Sequence, residues 1–170
     1  MYIIRTSALV AAIALAGCGG NDRFGGAGGP GGVNPDGYAG GLGSVSDPTS
    51  QAYFNEVVGD RVLFAVDQST LSPEARATLD AQARWLNANP DFAALIEGHA
   101  DERGTTEYNI ALGARRANAV QEYLYGQGIS LSRLQTVSYG KERPIEICSD
   151  EQCYSQNRRA VTVLRAGPGV

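Results

Sequence analysis

An acidic and a basic residue lie fifteen positions apart, where hydrophobic patterning predicts a strand followed by a helix. Asp101 ends the stretch Gly98-His99-Ala100-Asp101, and Arg116 lies in the predicted helix. A carboxylate and a guanidinium that face one small crevice can bind a zwitterion, because the acid pairs with an ammonium group and the base with a carboxylate. The pair therefore predicts recognition of an amino-acid terminus and not its cleavage.

Each polar residue of this region has a functional and a structural interpretation. Asn109 lies two helical turns before Arg116, so it can support the crevice or cap the helix. His99 is the only histidine of the chain, and a structural role is favoured over ligand contact. Asp101 can instead cap the loop before the helix, and Arg116 can be a solvated residue like Arg115. The spacing alone leaves these alternatives open.

Four strands and two helices are predicted to position these residues. Hydrophobic runs predict the strands, at 61–66, 92–98, 134–139 and 160–165. Ser72 and Thr105 are the predicted N-caps of the helices, which end at Pro90 and at Gly126. Residues 47–59 show a short helical spacing that does not settle their structure. The order strand-helix-strand-helix-strand-strand favours an α+β fold with helices layered on one face of a sheet.

Composition excludes several classes of function. With 170 residues and a net charge of −4, the chain has room for one main domain and lacks the basic surface of a nucleic-acid-binding protein. It contains neither a Gly-x-Ser-x-Gly nor a His-Glu-x-x-His motif. His99, Asp101 and Glu102 are too close in sequence to converge readily on a metal ion. We therefore predict a binding protein, not an enzyme, with no cofactor and no metal.

The N-terminus predicts export and lipidation. Residues 1–17 have the pattern of a signal peptide, with Arg5 before an apolar run that is too short to span a bilayer. The sequence Leu15-Ala16-Gly17-Cys18 resembles the bacterial lipobox, in which Cys18 is acylated; the alternative is an ordinary signal peptide. A glycine directly after the cysteine, here Gly19, resembles the pattern of lipoproteins that are sent to the outer membrane. Residues 18–46 are therefore interpreted as a lipidated cysteine followed by a tether.

The predicted tether is rich in glycine, and the two remaining cysteines follow much later. Twelve of the residues 19–43 are glycine, and a chain of about 30 such residues has a root-mean-square span of about 30 Å. Cys148 and Cys153 enclose a four-residue loop. In an oxidising compartment a disulfide is the favoured interpretation, contributing about 2 kcal/mol, since two cysteines without a nearby histidine make a poor metal site.

Five sequence blocks occur in an order that resembles a known family. They are Val62-Leu63-Phe64-x-x-Asp67, Ile96-Glu97-Gly98-His99-Ala100-Asp101-Glu102-Arg103-Gly104, Asn109-x-x-Leu112-Gly113-x-x-Arg116-Ala117, Val137-Ser138-Tyr139-Gly140-Lys141-x-x-Pro144 and Asn157-Arg158-Arg159-Ala160. Together they resemble the OmpA-like domain family. The resemblance implies a β-α-β-α-β-β arrangement, a layer of helices on a four-stranded mixed sheet, within a domain assigned to residues 47–170.

The resemblance implies non-covalent binding of peptidoglycan through the diaminopimelate of its stem peptide. Asp101 would bind the ammonium group and Arg116 the carboxylate, which lysine-type stems lack. The other implied ligand-binding residues are Asn109, His99, Asn157, Arg158 and Asp67. Arg159 is expected on the surface. Substitution of Arg116 by alanine is expected to abolish binding and to leave the fold intact.

The resemblance also implies partners and a location. A lipid anchor in the outer membrane would hold the protein on the periplasmic face, where it would link that membrane to peptidoglycan during envelope maintenance and cell division. The alternative is a protein-interaction module whose main ligand is a periplasmic β-propeller of the Tol system. One departure concerns Phe64-Ala65-Val66-Asp67, where family members often carry an acidic or aromatic residue, so one wall of the binding site is expected to differ.

Overall fold

The computed structural model describes residues 42–147 and 149–166. The predicted signal peptide, the lipidation site Cys18 and most of the predicted tether lie outside the described residues, as does Cys148. Cys153 forms a disulfide bond. Its pairing with Cys148 stays a prediction. Within the described segments, no helix combines the length and the apolar character needed to cross a membrane.

Four strands form one mixed sheet. They are β1 Arg61–Leu63, β2 Phe92–His99, β3 Leu134–Gly140 and β4 Arg159–Ala166. Their spatial order is β1-β4-β2-β3, with β2 and β3 parallel and the other two pairs antiparallel. Strand β2 therefore lies inside the sheet and carries its last residues toward the loop before the second long helix. The predicted α+β class with a four-stranded mixed sheet is confirmed.

Helices precede or connect the strands. They are α1 Gln51–Tyr53, continued by a π-helical turn Phe54–Gly59, α2 Pro73–Ala88, α3 Thr106–Gly126 and α4 Glu151–Asn157, with a 3₁₀ turn at Leu131–Arg133. Both predicted N-caps are confirmed. The Ser72 hydroxyl accepts a hydrogen bond from the Ala75 N–H (3.1 Å), and the Thr105 hydroxyl accepts one from the Tyr108 N–H (3.2 Å). These caps fix where the two long helices begin.

The hydrophobic core lies between the sheet and helices α2 and α3. Its largest fully buried apolar side chains are Phe54, Leu79, Leu86, Ile96, Leu124 and Ile129. Trp85, the only tryptophan, packs between Phe54 and Phe92, with ring centroids 4.9 Å and 5.2 Å away. Its indole N–H donates to the Pro48 carbonyl at 2.7 Å, so this buried polar group is satisfied.

Two elements differ from the prediction. The first strand ends at Leu63 and not at residue 66, because Gln68 N–H donates to the Ala65 carbonyl and closes a turn there. Helix α4 was not predicted. It begins after Asp150, whose side chain accepts from the Cys153 N–H. This seven-residue helix shows too little apolar periodicity to be recognised from sequence.

Helix α3 lies unusually close to strand β2 at two glycines. A Cβ atom added to Gly98 would lie 1.9 Å from the Gly113 carbonyl oxygen, and one added to Gly113 would lie 2.7 Å from the Gly98 oxygen. Backbone therefore packs directly on backbone. Gly98 precedes Asp101 by three residues and Gly113 precedes Arg116 by three, so this contact sets the distance between the strand end and the helix that carry the two charges.

Candidate functional site

A cavity of about 320 Å³ lies where strand β2 ends and helix α3 begins. Its lining residues are Val66, Asp67, Asp101, Arg103, Gly104, Tyr108, Asn109, Leu112, Arg116 and Arg158. The structure thus brings together five of the seven residues that the sequence proposed as ligand-binding: Asp67, Asp101, Asn109, Arg116 and Arg158. The other two, His99 and Asn157, do not line it.

Arg116 is fully buried, so its interpretation as a solvated helix residue is wrong. Its guanidinium donates from Nη1 to the His99 carbonyl (2.7 Å), from Nε to the Gln68 carbonyl (2.9 Å) and from Nη2 to the Ala65 carbonyl (3.2 Å). A guanidinium has five N–H donors, so two remain after these three bonds. Arg116 therefore joins the loop after β1 to the end of β2 and contributes a fixed charge to the cavity wall.

The charge of Arg116 is maintained despite its surroundings. Burial lowers its pKa to about 10, and repulsion from Arg158 acts in the same direction, while Asp101 and Asp67 act against it. Because a pKa of about 10 lies well above neutral pH, the guanidinium stays protonated under physiological conditions.

Asp101 is held by two arginines. Its Oδ2 atom accepts from Arg103 Nη2 at 2.6 Å and from Arg158 Nη1 at 3.2 Å. Its Oδ1 atom accepts from the Arg103 backbone N–H at 3.2 Å and from Arg103 Nε at 3.3 Å. Partial burial alone would raise the pKa of Asp101, but the hydrogen bonds from Arg103 and Arg158 outweigh it and lower the pKa below its ordinary value. The carboxylate is therefore ionised at any physiological pH.

Arg158 links the cavity to helix α4. Its Nε donates to the Phe64 carbonyl at 3.1 Å, and its Nη2 forms a short ion pair with Glu151. Arg103 extends past Asp101 toward the same helix, with its guanidinium 4.5 Å from the centre of the Tyr154 ring. Glu151 and Tyr154 therefore face the arginines of the site without lining the cavity.

The remaining cavity residues hold two loops in place. Asn109 is buried, and its amide donates to the Arg103 carbonyl at 2.7 Å, so its supporting role is the one that the geometry favours. The Tyr108 hydroxyl forms a short hydrogen bond with Asp67, which raises the pKa of Tyr108. Asp67 has φ of 55°, a left-handed conformation in a non-glycine residue, at the turn that ends beside the cavity. The Asn109–Arg103 and Tyr108–Asp67 hydrogen bonds therefore fix the rim of the cavity.

Arg103 and Tyr108 line the cavity but were not predicted from the sequence. Arg103 lies within the block that carried the family resemblance, so its position was available but its role was not. Tyr108 lies one residue before Asn109 in the first turn of α3, where sequence spacing does not show which side chain reaches across to the loop at Asp67. Val66 also lines the cavity, so the loop after β1 contributes to its wall.

His99 and Asn157 are buried elsewhere. Asn157 accepts hydrogen bonds from the Ile145 and Glu146 N–H groups, at 2.9 Å and 3.2 Å, and donates to the Glu146 carbonyl at 2.8 Å. His99 packs against Tyr139, with ring centroids 5.6 Å apart. Its Nε2 atom is 3.5 Å from Glu97 Oε2. This contact lacks hydrogen-bond geometry, so neither ring nitrogen has a partner among the described residues.

Burial of His99 predicts a specific loss of stability in acid. Burial, with the positive charges of Arg159 and Arg143, lowers its pKa to about 3 from the ordinary 6.5. Between these values the unfolded chain binds a proton that the folded protein does not. The free energy of unfolding therefore falls as the pH falls through this window, by at most about 1.4 kcal/mol per pH unit. Urea unfolding from pH 7 to pH 4 should show a shallower pH dependence for His99→Phe than for the unsubstituted protein.

Protonation of carboxylates destabilises the unsubstituted protein and His99→Phe alike, so the difference between their pH dependences reports the histidine. Identical pH dependence in the two proteins would contradict this assignment.

The prediction that Arg159 lies on the surface is wrong. Arg159 is buried, and it donates to the Asn157 carbonyl (3.3 Å) and the Arg143 carbonyl (3.1 Å).

Within residues 42–147 and 149–166, no group of three or more histidine, cysteine, aspartate or glutamate side chains is arranged to hold a metal ion. The cavity contains cations and carboxylates in close contact, and its polar groups are those that pair with an ammonium and a carboxylate. Chemically, this arrangement can pair with a charged ligand.

Comparison with known proteins places the chain in a family. Residues 63–158 match the model of the OmpA family. The peptidoglycan-associated lipoprotein of Rhizobium meliloti is 50% identical over 159 residues, covering 92% of this chain and 85% of that protein. The one from Pseudomonas aeruginosa is 46% identical over 157 residues, covering 90% and 92%. The chain therefore belongs to the OmpA family and, within it, to the peptidoglycan-associated lipoproteins.

Solved structures agree with this assignment. The crystal structure of the peptidoglycan-associated lipoprotein from Burkholderia pseudomallei is 36% identical, with a TM-score of 0.65, and the match covers 70% of this chain and all of that one. The C-terminal domain of Helicobacter pylori MotB has a TM-score of 0.59 at 18% identity. At that identity the likeness concerns the fold alone.

Proposed function

We propose that the cavity binds peptidoglycan through the free end of diaminopimelate in an uncrosslinked stem peptide. The observation that carries the proposal is the presence of an ionised carboxylate, Asp101, and a buried cation, Arg116, in the wall of one cavity of about 320 Å³. The far end of diaminopimelate carries an ammonium and a carboxylate on the same carbon. Such a group matches a cavity that presents both signs of charge.

The roles of the two residues follow from their surroundings. Asp101 is the carboxylate that would pair with the ligand ammonium group, and its lowered pKa keeps it charged. Arg116 keeps two N–H donors beyond those that bind the loop carbonyls, so it can pair with a ligand carboxylate from the cavity wall. A lysine-type stem has no carboxylate at this position and leaves Arg116 without that partner. This difference supports discrimination in favour of diaminopimelate.

The wider proposal rests on the family and on the sequence. With Cys18 lipidated, the protein would be held in the outer membrane with its domain in the periplasm, and would act as a non-covalent link to peptidoglycan. Many weak links along a continuous ligand would act together because anchoring raises the effective concentration. A Tol β-propeller as second partner, and a part in cell division, complete the proposal.

Substitution of Asp101 by asparagine tests the ligand site directly. Loss of a charge-assisted hydrogen bond costs about 1.5 to 3 kcal/mol, so we expect binding of a diaminopimelate-type stem peptide to weaken by about 10-fold to 150-fold. Calorimetric titration of the purified chain measures this. Arg158 keeps its bonds to the Phe64 carbonyl and to Glu151, so the variant should retain its fold.

The matched control is Asp91→Asn, which makes the same change at an exposed position outside the cavity lining. Titration with a lysine-type peptide provides the specificity arm. If Asp101→Asn bound the diaminopimelate peptide as tightly as Asp91→Asn, the proposed site would be refuted. Equal affinity of the unsubstituted protein for both peptides would refute the role given to Arg116.

A further inference from the structure

The Asp101 carboxylate has no free position for a ligand in this conformation. An ionised carboxylate offers about four lone-pair sites. Arg103 supplies three donors to Asp101, one from its backbone and two from its guanidinium, and Arg158 supplies the fourth. An incoming ammonium group must therefore displace one of these donors before it can pair with Asp101.

The Arg103 side chain is the donor that can leave. The side chain of Arg158 is 5% exposed, and its guanidinium is also bound to the Phe64 carbonyl and to Glu151. The side chain of Arg103 is 46% exposed and makes its guanidinium hydrogen bonds to Asp101 alone. Moving the half-exposed Arg103 side chain breaks only its bonds to Asp101, whereas moving the buried Arg158 would also leave its other partners uncompensated.

A second position for the Arg103 guanidinium lies beside the first. Its Nη2 atom is 3.8 Å from Glu151 Oε2, and its carbon centre lies 4.5 Å from the centre of the Tyr154 ring. The Glu151 side chain is 60% exposed, so its second oxygen is accessible. A carboxylate and an aromatic face are both favourable partners for a guanidinium. These are distances from the present position of Arg103, so a small rotation away from Asp101 would be enough to pair it with these two groups on α4.

We infer that Arg103 occupies, in the ligand-free protein, the place on Asp101 that the ligand ammonium takes, and that Glu151 and Tyr154 hold Arg103 when the ligand binds. This inference rests on the proposed function. Arg103 is thus an internal competitor, and Glu151 is a positioning residue that acts on the ligand through it. The affinity for the ligand then depends on the difference in free energy between the pairing of Arg103 with Asp101 and its pairing with Glu151 and Tyr154.

The charges around the cavity agree with such an exchange. The charged groups that line the cavity or pair with its arginines come from five places: Arg103 from the loop before α3, Arg116 from α3, Arg158 from between α4 and β4, Asp67 from the loop after β1, and Glu151 from α4. With Asp101 itself counted, the three arginines are balanced by three carboxylates. When an ammonium displaces Arg103, Asp101 keeps a cationic partner and Arg103 keeps an anionic one, so no charge is left unpaired.

A double-mutant cycle tests the inference. Arg103→Gln removes the competitor, so we expect a diaminopimelate-type stem peptide to bind about threefold to tenfold more tightly. Glu151→Gln weakens the second position and should reduce affinity by a similar factor. In the Arg103→Gln background the effect of Glu151→Gln should shrink by at least about threefold, because no arginine then needs that position. Calorimetric titration of the purified chain supplies the four affinities.

Two controls separate a local exchange from a general change of charge. Arg84→Gln and Glu122→Gln make the same changes at exposed positions that do not line the cavity. A readout without ligand is the NMR titration of the Asp101 carboxyl group. Its pKa should rise in Arg103→Gln, since a hydrogen-bonded cation has been removed from the ionised form.

Weaker binding by Arg103→Gln would overturn the inference, because the arginine would then contact the ligand. An undiminished effect of Glu151→Gln in the double variant would overturn the second position of Arg103. Asp101→Asn separates these failures from that of the proposed function. If Asp101→Asn binds normally, the ligand site is wrong; if it loses binding while the cycle is additive, the exchange alone is wrong.

Discussion

Arg116→Ala is expected to destabilise the fold by about 3 to 5 kcal/mol, because it removes a buried donor from three carbonyl groups, two in the loop after β1 and one at the end of β2. Those carbonyls belong to Ala65, Gln68 and His99, and the guanidinium that binds them is fully buried. The guanidinium also lies 5.2 Å from the centre of the Phe64 ring, a contact that the substitution removes. Urea unfolding at neutral pH measures the loss directly.

The neighbouring position provides the control. Arg115 is exposed, so Arg115→Ala should change the free energy of unfolding by no more than about 0.5 kcal/mol. Equal stability of the two alanine variants would show that the hydrogen bonds of Arg116 do not hold the loops. The sequence led us to expect that Arg116→Ala would leave the fold intact. The geometry leads to the opposite expectation, so binding is tested better at Asp101.

Gly98→Ala is expected to cost about 3 kcal/mol or more, the upper part of the range for overpacking, since the new methyl group would collide with a backbone carbonyl that no side-chain rotation can move. The new methyl carbon would lie 1.9 Å from the Gly113 carbonyl oxygen and 3.2 Å from the Ala117 side chain. Relief requires helix α3 to move away from strand β2. That movement changes the distance between Asp101 and Arg116, so ligand binding should fall together with the melting temperature.

Gly126→Ala is the matched control, at the end of the same helix. No heavy atom lies within 4 Å of a Cβ atom added there, and alanine is favoured over glycine in a helix by up to about 1 kcal/mol. Thermal unfolding followed by circular dichroism should show a lower midpoint for Gly98→Ala and an equal or higher one for Gly126→Ala. A Gly98→Ala midpoint equal to that of the unsubstituted protein would contradict the close packing of backbone on backbone.

Features that depend on neighbouring residues were predictable from the sequence. Ser72 and Thr105 cap their helices through hydrogen bonds to the third residue onward, and the hydrophobic runs mark β2, β3 and β4 because burial follows local composition. The five ordered blocks, through the family resemblance, predicted five of the residues that line the cavity, while His99 and Asn157 do not line it. The caps and the strands each depend on a short segment of the chain, where local physical chemistry decides the structure.

Features that depend on distant partners were not predictable. The shortened β1 reflects the turn closed at Ala65, whose carbonyl, like that of Gln68, is bound by an arginine some 50 residues later. The sequence predicted that Arg116 binds a ligand, but not that it binds these carbonyls. The spacing of residues along the chain does not show which backbone groups a side chain contacts. Arg159 was misplaced on the surface for the same reason, since its partners are the carbonyls of Asn157 and Arg143.

The position of Trp85 gives the protein a built-in spectroscopic probe. The indole is packed between two phenylalanines, is absent from the lining of the cavity at Asp101, and is the only one in the chain. Its emission therefore reports the integrity of the core around Phe54 and Phe92, and occupation of the cavity should leave that emission almost unchanged. A tryptophan fluorescence measurement can therefore distinguish variants that unfold from variants that fold but no longer bind the ligand.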